Sequence, residues 1–199
     1  MESCILSTAY FGPVQWYQKL YRYDRVLIDV QESFQKQTFR NRCQIATTQG
    51  IQALTVPVVH GTDNHVQSIG ISDHGNWRHL HWQALQTAYG DSPFFEYYED
   101  DIRPFFTERN WERLVDYNDA ICRKMCDLLD IHPNCERCTM HDEQNKDFRT
   151  AINPKHPQPD PDFAPRPYYQ VYRQKHGFLP NLSILDLLFN MGPESIFYL

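Results

Sequence analysis

The sequence predicts an α/β protein in which an N-terminal strand-turn-helix-strand unit, resembling a nucleotide-binding α/β fold, is followed by helices. Three observations carry this. The run "CILSTAY" (Cys4 to Tyr10) is apolar and is closed by "FGP". An amphipathic stretch follows, with Val14, Tyr17, Leu20 and Tyr21 at helical spacing. "DRVLIDV" then brings a β-branched apolar run of the kind found in buried strands. Strand, turn, helix and strand within about 30 residues outline a βαβ unit.

The elements follow in order. Pro13 suits the first turn of the first helix, where its missing N–H costs nothing. "CQIATTQGIQALTVPVV" predicts two strands around Gln49-Gly50, with Pro57 confining the second to an edge or a bulge. "VQSIGIS" (Val66 to Ser72) alternates like a further strand. In "NWRHLHWQALQTAYG", Asn76 can cap a helix and Gly90 can stop it. Pro104 divides the aromatic, acidic "FFEYYEDDIRPFF" into two helical pieces, and "NWERLVDYNDAICRKMCDLLDI" predicts the longest helix.

Between Asn153 and Pro167 the chain carries Pro154, Pro157, Pro159, Pro161, Pro165 and Pro167. Such a segment is neither helix nor central strand, and an extended surface loop is expected. Only about 30 residues follow it, too few for a separate domain. They are expected to return to the core as a last helix, capped by Asn181 or Ser183 and ended by Gly192. A single domain over residues 1–199 is the resulting expectation.

The bulk numbers exclude several classes of function. With 41% hydrophobic and 14% aromatic residues, the chain is a folded globular protein and not a disordered one. A formal charge of −6 argues against a general nucleic-acid binder, which needs a broad basic surface. No apolar run reaches the ~18 to 20 residues that a membrane span requires. The first residues, "MESCILSTAYFG", lack the pattern of a signal peptide, and six cysteines then suggest reduced thiols in a cytoplasm.

Against this acidic background, "FQKQTFRNR" (Phe34 to Arg42) places Lys36, Arg40 and Arg42 together. If the stretch is extended, the three share one face, with Lys36 and Arg40 roughly 13 Å apart. Arginine supplies planar bidentate contacts to phosphate or carboxylate, and lysine a point charge. An anionic small-molecule substrate, phosphorylated or nucleotide-linked, is the partner this suggests. The alternative is a solvated face paired with acids such as Asp24 or Glu32.

Two further groups bear on chemistry. His132, Cys135, Cys138 and His141 are soft ligands at spacings of three, but four ligands within ten residues crowd one another. A polar junction with buried thiols is expected there, without a metal. His74 precedes a helix N-terminus, where the macrodipole favours the neutral ring and suits a general base; packing against Trp77 explains it as well. No Walker A loop, nucleophile elbow, HExxH or dinucleotide fingerprint is present.

Taken together, the stretches "ILSTAYFGPVQWY", "YDRVLIDVQESFQKQTFRNRCQI", "LTVPV", "NWRHLHWQALQTAYGDSPFFEYY", "DFRTAINPK" and "YYQVYRQKHGFLPNLSILDLLFNMGPE" resemble the WbqC-like protein family, in the form of its Bacteroidetes branch. Where many members carry a His-Gln-Pro-Asn-like turn, this chain has Ser7, Thr8 and Ala9. The resemblance implies a role in surface polysaccharide or O-antigen biosynthesis, with aminoacyl (glycine) transfer to an amino sugar as the proposed activity. The early strand-helix-strand order is also similar to adenylyl-transferring synthetases, by fold analogy alone.

Two functional readings stand beside each other. In the first, a transferase holds an anionic substrate with Lys36, Arg40 and Arg42, flanked by Tyr10 and Gln15. Arg149 and Lys155 then close over a phosphate from a loop that acts as a lid. His74 and Asp186 are its catalytic candidates, and Asn190, one turn from Asp186, helps to orient a sugar hydroxyl; the alternative for Asp186 and Asn190 is a polar helix face. In the second, the protein is a non-catalytic binding or scaffold component, for which the aromatic segment at residues 93–106 would form an interface.

Overall fold

The computed structural model describes residues 2–140 and 145–199. In chain order these form β1 (Ser3–Ser7), α1 (Val14–Arg22), β2 (Arg25–Asp29), β3 (Arg42–Thr47), β4 (Gly50–Thr55), β5 (Val58–Val59), β6 (Gly70–Ile71), α2 (Trp77–Tyr89), α3 (Phe95–Ile102) and α4 (Pro104–Thr107). They continue with α5 (Leu114–Leu128), β7 (Cys135–Cys138), β8 (Lys146–Asp147), α6 (Arg173–His176) and α7 (Ile184–Met191).

The expected βαβ unit is present. β1 and β2 pair in parallel over five residues, from Ser3 opposite Arg25 to Ser7 opposite Asp29. β7 adds beside β2 and β8 beside β1, both in parallel, so the order is β7-β2-β1-β8. Cys4, Leu6, Val26 and Ile28 point from one sheet face into a hydrophobic core that also draws Tyr17 and Leu20 from α1, Ile121 and Met125 from α5, and Leu185 and Leu188 from α7. Burying such side chains supplies the main drive for the fold, about 1.5–3 kcal/mol each.

Local signals explain most boundaries. Pro104 opens α4 and so separates it from α3. Ser183 caps α7 by accepting the Leu185 N–H, and Gly192 ends it at φ 54°. A Cβ at Gly192 would lie 2.6 Å from the Phe94 ring, so glycine is required there for two reasons. β3 and β4 form the expected antiparallel hairpin. Pro57 then breaks the run, and Val58–Val59 pairs with β6.

Two expectations are corrected. Phe34 to Asn41 is not extended but a series of turns, and only Arg42 enters a strand. Phe34 and Phe39 are both buried, and Thr38 Oγ1 donates to the Gln35 carbonyl, which folds the stretch back on itself. The period of two therefore does not apply to its cations. Val66 to Ser72 is likewise not one strand, because Val66 and Ile69 are both buried at a spacing of three, within a 3-10 turn over Val66–Ser68 and its cap.

Residues 153–167 form no helix or strand. α1 holds this segment: Gln15 Nε2 donates to Asp160 (2.8 Å) and Gln18 Nε2 to the Asp162 carbonyl (3.0 Å). Lys19, fully buried, pairs with Asp160 at 2.7 Å. No helix of the described residues is long and apolar enough to cross a membrane.

Candidate functional site

In open parallel sheets, ligands bind beyond the carboxyl ends of the strands, where the strand order reverses. Here the chain passes from β1 to β2 and β7 on one side, and β8 returns on the other side of β1. The reversal lies between β1 and β8.

The strand register sets what meets there. Ser7 pairs with Asp29, and Ile5 pairs with both Leu27 and Asp147, so Ser7, Asp29 and Asp147 lie on one face. Arg149, two residues past Asp147, bonds to it (Nη2 to Oδ2, 2.6 Å) and reaches across β1 to Asp29. Asp29 Oδ1 accepts the backbone N–H groups of Gln31 (2.8 Å) and Glu32 (3.0 Å). That carboxylate-closed turn sets Glu32 beside Ser7, whose hydroxyl donates to Glu32 Oε2 (3.1 Å).

Arg40 completes the edge. Its Nη2 donates to Ser7 Oγ (2.8 Å) and Glu32 Oε2 (2.5 Å), and its Nε to Glu32 Oε1 (2.8 Å). Its carbonyl accepts from Asn118 of α5 at 2.8 Å. A narrow crevice is lined by Ser7, Thr8, Trp16, Arg40, Phe148 and Arg149. Beyond Thr8 and Trp16, which line both spaces, a cavity of about 920 Å³ runs between α5 and β7 past Ile28, Asn118, Cys122 and Cys135. That volume is of the size that holds a sugar or nucleotide.

Arg40 and Arg149 are thus the two candidates that the fold brings together. Arg42 lies at the start of β3, where Nε donates to Thr55 Oγ1 across the hairpin (3.0 Å). Lys36 and Lys155 are exposed, and Lys155 meets Gln37. Gln15 is held by Asn181 and Asp160. Tyr10 is fully buried with its hydroxyl 2.9 Å from His81 Nδ1, and burial pushes its phenol pKa up. Burial equally holds His81 neutral, with a pKa lowered to about 4.

The remaining candidates do not line the crevice. His74 is exposed in the loop before α2. Asp186 is 0% exposed and accepts from Tyr89 (2.9 Å), Tyr168 (2.7 Å) and Gln170 (2.8 Å). Burial raises its pKa despite these donors. Asn190 is buried beside it and donates to the Asp186 carbonyl at 2.7 Å.

The histidine–cysteine group does not form one ligand set in the described residues. Cys135 pairs with Val26 on the core face, and Cys138 lies three residues along the strand, on the opposite face. His132 is exposed, and His141 lies outside the described residues.

Sequence reasoning did not single out Ser7, Asp29, Asn118 or Asp147 as site residues. A signal existed for two of them: β1 and β2 each end on a polar residue at the carboxyl edge, where a βαβ unit places its ligand.

Fold and site together define a parallel-sheet α/β protein with a charge-paired crevice at its carboxyl edge and a larger cavity beside it. The chain belongs to the WbqC-like protein family, whose pattern matches residues 8–156 and 160–198. It is also similar to "Uncharacterized protein Rv1507c" of Mycobacterium tuberculosis (strain ATCC 25618 / H37Rv), at 26% identity over 202 residues, covering 88% of this chain and 87% of that protein. No solved structure matches.

Proposed function

We propose that this protein is a transferase of surface-polysaccharide biosynthesis that binds a phosphorylated or nucleotide-linked substrate at the crevice between β1 and β8. In its narrowest form the reaction moves an activated aminoacyl group, such as glycyl, onto an amino sugar. One observation carries the reading: Arg40 and Arg149, far apart in sequence, both line the crevice at the point of strand reversal, beside a cavity large enough for a sugar. Glu32, Asp29 and Asp147 compensate both guanidiniums. The crevice has a free volume of only about 10 Å³, so a phosphate binds by displacing these carboxylates from the planar donors, which it matches in geometry. On this reading the edge works by positioning: Arg40 and Glu32 fix the Ser7 hydroxyl between them, and the substrate is oriented against it.

The scaffold reading has lost part of its support, because Phe95, Tyr98, Phe105 and Phe106 of the aromatic segment are buried and only Tyr97 stands well exposed. Thermal unfolding with UDP- and dTDP-sugars, ATP and acyl-CoA separates the two. A ligand at a hundred times its Kd adds about 2.7 kcal/mol, or roughly 5–10 °C for a chain of this size. The expected result is a shift with a nucleotide-bearing ligand that is lost in Arg149→Met. No shift with any of them would leave the scaffold reading standing.

A further inference from the structure

The β3–β4 hairpin ends on a strand edge that nothing among the described residues covers. The Val56 N–H donates to the Asn41 carbonyl (2.8 Å), and the register pairs Cys43 with Leu54 and Ile45 with Gln52. An antiparallel ladder alternates bonded and non-bonded pairs, so these are the bonded ones, and the backbone groups of Ile51 and Ala53 point away from β3. The matching outward groups of β3 are met. The Gln44 carbonyl accepts the Ser183 N–H (2.8 Å), and the Ala46 N–H donates to the Tyr89 hydroxyl (3.1 Å). On β4, neither Ile51 nor Ala53 has such a partner among the described residues. Both are exposed, as is Gln52 between them.

The edge is held in place and carries no protection. α6 fixes the hairpin tip, where Lys175 Nζ donates to the Thr48 carbonyl (2.7 Å) and His176 Nε2 lies 3.1 Å from that of Thr47. Folded proteins blunt an open edge with lysine, proline or a bulge, and Gly50–Thr55 has none of these. Beside it, a groove of about 1030 Å³ runs between β4 and α2, lined in part by Ile51 and Leu80, each more than half exposed. No residue lining it is charged, in a chain of which 22% is. A phosphate, a nucleic acid or a charged peptide finds no counter-charge there, whereas a neutral extended strand finds backbone groups to pair with.

We infer that the edge of β4 pairs with the same edge of a second copy of this chain. The edge is complementary to itself in one antiparallel register. With the two-fold axis at Gln52, Ile51 of each copy lies opposite Ala53 of the other, and every outward N–H of these residues meets a carbonyl. A large side chain then stands beside a small one. The two Gln52 side chains face each other, and amides both donate and accept. Because the groove is uncharged, the formal −6 of each copy sets no like charges against each other along the seam. Ser7, Arg40 and Arg149 line the crevice and not this groove, so the inference stands apart from the transferase reading.

Sedimentation velocity of the full chain, from roughly 5 to 500 µM, tests this. A short edge buries less than the ~1,200 Å² of a standard interface, so a reversible dimer with a Kd on the order of 10–100 µM is expected. Ala53→Pro removes an outward N–H that β3 does not use and should weaken the dimer about tenfold. Gln52→Lys and Gln52→Glu each set like charges against each other at the axis and should weaken it about fivefold. The two Gln52 variants mixed together should pair at least as well as the parent, a rescue that depends on this register. Unfolding transitions like the parent's establish that the variants are folded; if Ala53→Pro does not fold, the Gln52 pair decides. A parent that stays monomeric up to roughly 500 µM, a dimer indifferent to a folded Ala53→Pro, or a mixture no better than its components would each overturn the inference.

Discussion

The Arg40 guanidinium grips the Glu32 carboxylate through two hydrogen bonds, with both side chains less than 10% exposed. A buried pair of this kind is weak evidence for net stability, but removing one partner strands the other charge. Arg40→Ala should therefore cost about 3–5 kcal/mol. The double variant Arg40→Met/Glu32→Leu should recover most of that loss. Urea unfolding of the three variants checks this, and an Arg40→Ala protein as stable as the parent would show that the pair is not structural.

Asp186 is another buried carboxyl group, and its three donors come from α2 and from the chain before α7. Asp186→Asn keeps the size but turns an NH2 group toward those donors, and should cost about 2 kcal/mol. Asp186→Ala should cost more and loosen residues 168–170 against α7. Thermal unfolding gives the order. A neutral Asp186→Asn would mean that the carboxylic acid is already protonated in the fold.

Stability should fall in acid through His81. Burial lowers its pKa from 6.5 to about 4, and Tyr10, Trp77 and Phe106 pack against its ring, with Arg78 nearby on the same helix. The unfolded chain binds the proton first, so the stabilisation is present above pH 6.5 and is lost as the pH falls toward 4. The loss is about 3 kcal/mol across that window. In His81→Gln, which does not titrate, the slope of stability against pH should be correspondingly shallower between pH 4 and 6.5. Parallel slopes in the two proteins would rule out the imidazole as the source.

The proline-rich segment should depend on Asp160. Lys19 Nζ sits 2.7 Å from it and 4.3 Å from the centre of the Phe148 ring; the ion pair is close, although its angles fall short of a hydrogen bond. Asp160→Ala strands a fully buried ammonium and removes the Gln15 contact. Hydrogen exchange over residues 158–164 should rise, and stability should drop by about 3 kcal/mol. Unchanged exchange would show that the remaining contacts to Asp162 hold the segment by themselves.

Features read correctly from the sequence depend on near neighbours. The β1–α1–β2 unit, the Gln49-Gly50 hairpin, the break at Pro104, and Ser183 and Gly192 at the ends of α7 all follow from local periodicity, capping and backbone constraint. The turns of Phe34 to Asn41 were missed because two buried phenylalanines five residues apart outweigh a strand-like alternation, and only the core decides that both are buried.

The α/β class, the family and the presence of a small basic group can be read from residue order alone, because patterning and composition act residue by residue. How that group is used depends on the folded chain. Glu32 reaches Arg40 through a turn closed by Asp29, and Arg149 reaches Asp29 across 120 residues of chain. The fold also separated Asp186 and Asn190 from the crevice and buried them among tyrosines. A charge is satisfied by whatever the strand order and packing set within about 3 Å of it. That distance carries no trace in the spacing of residues along the chain.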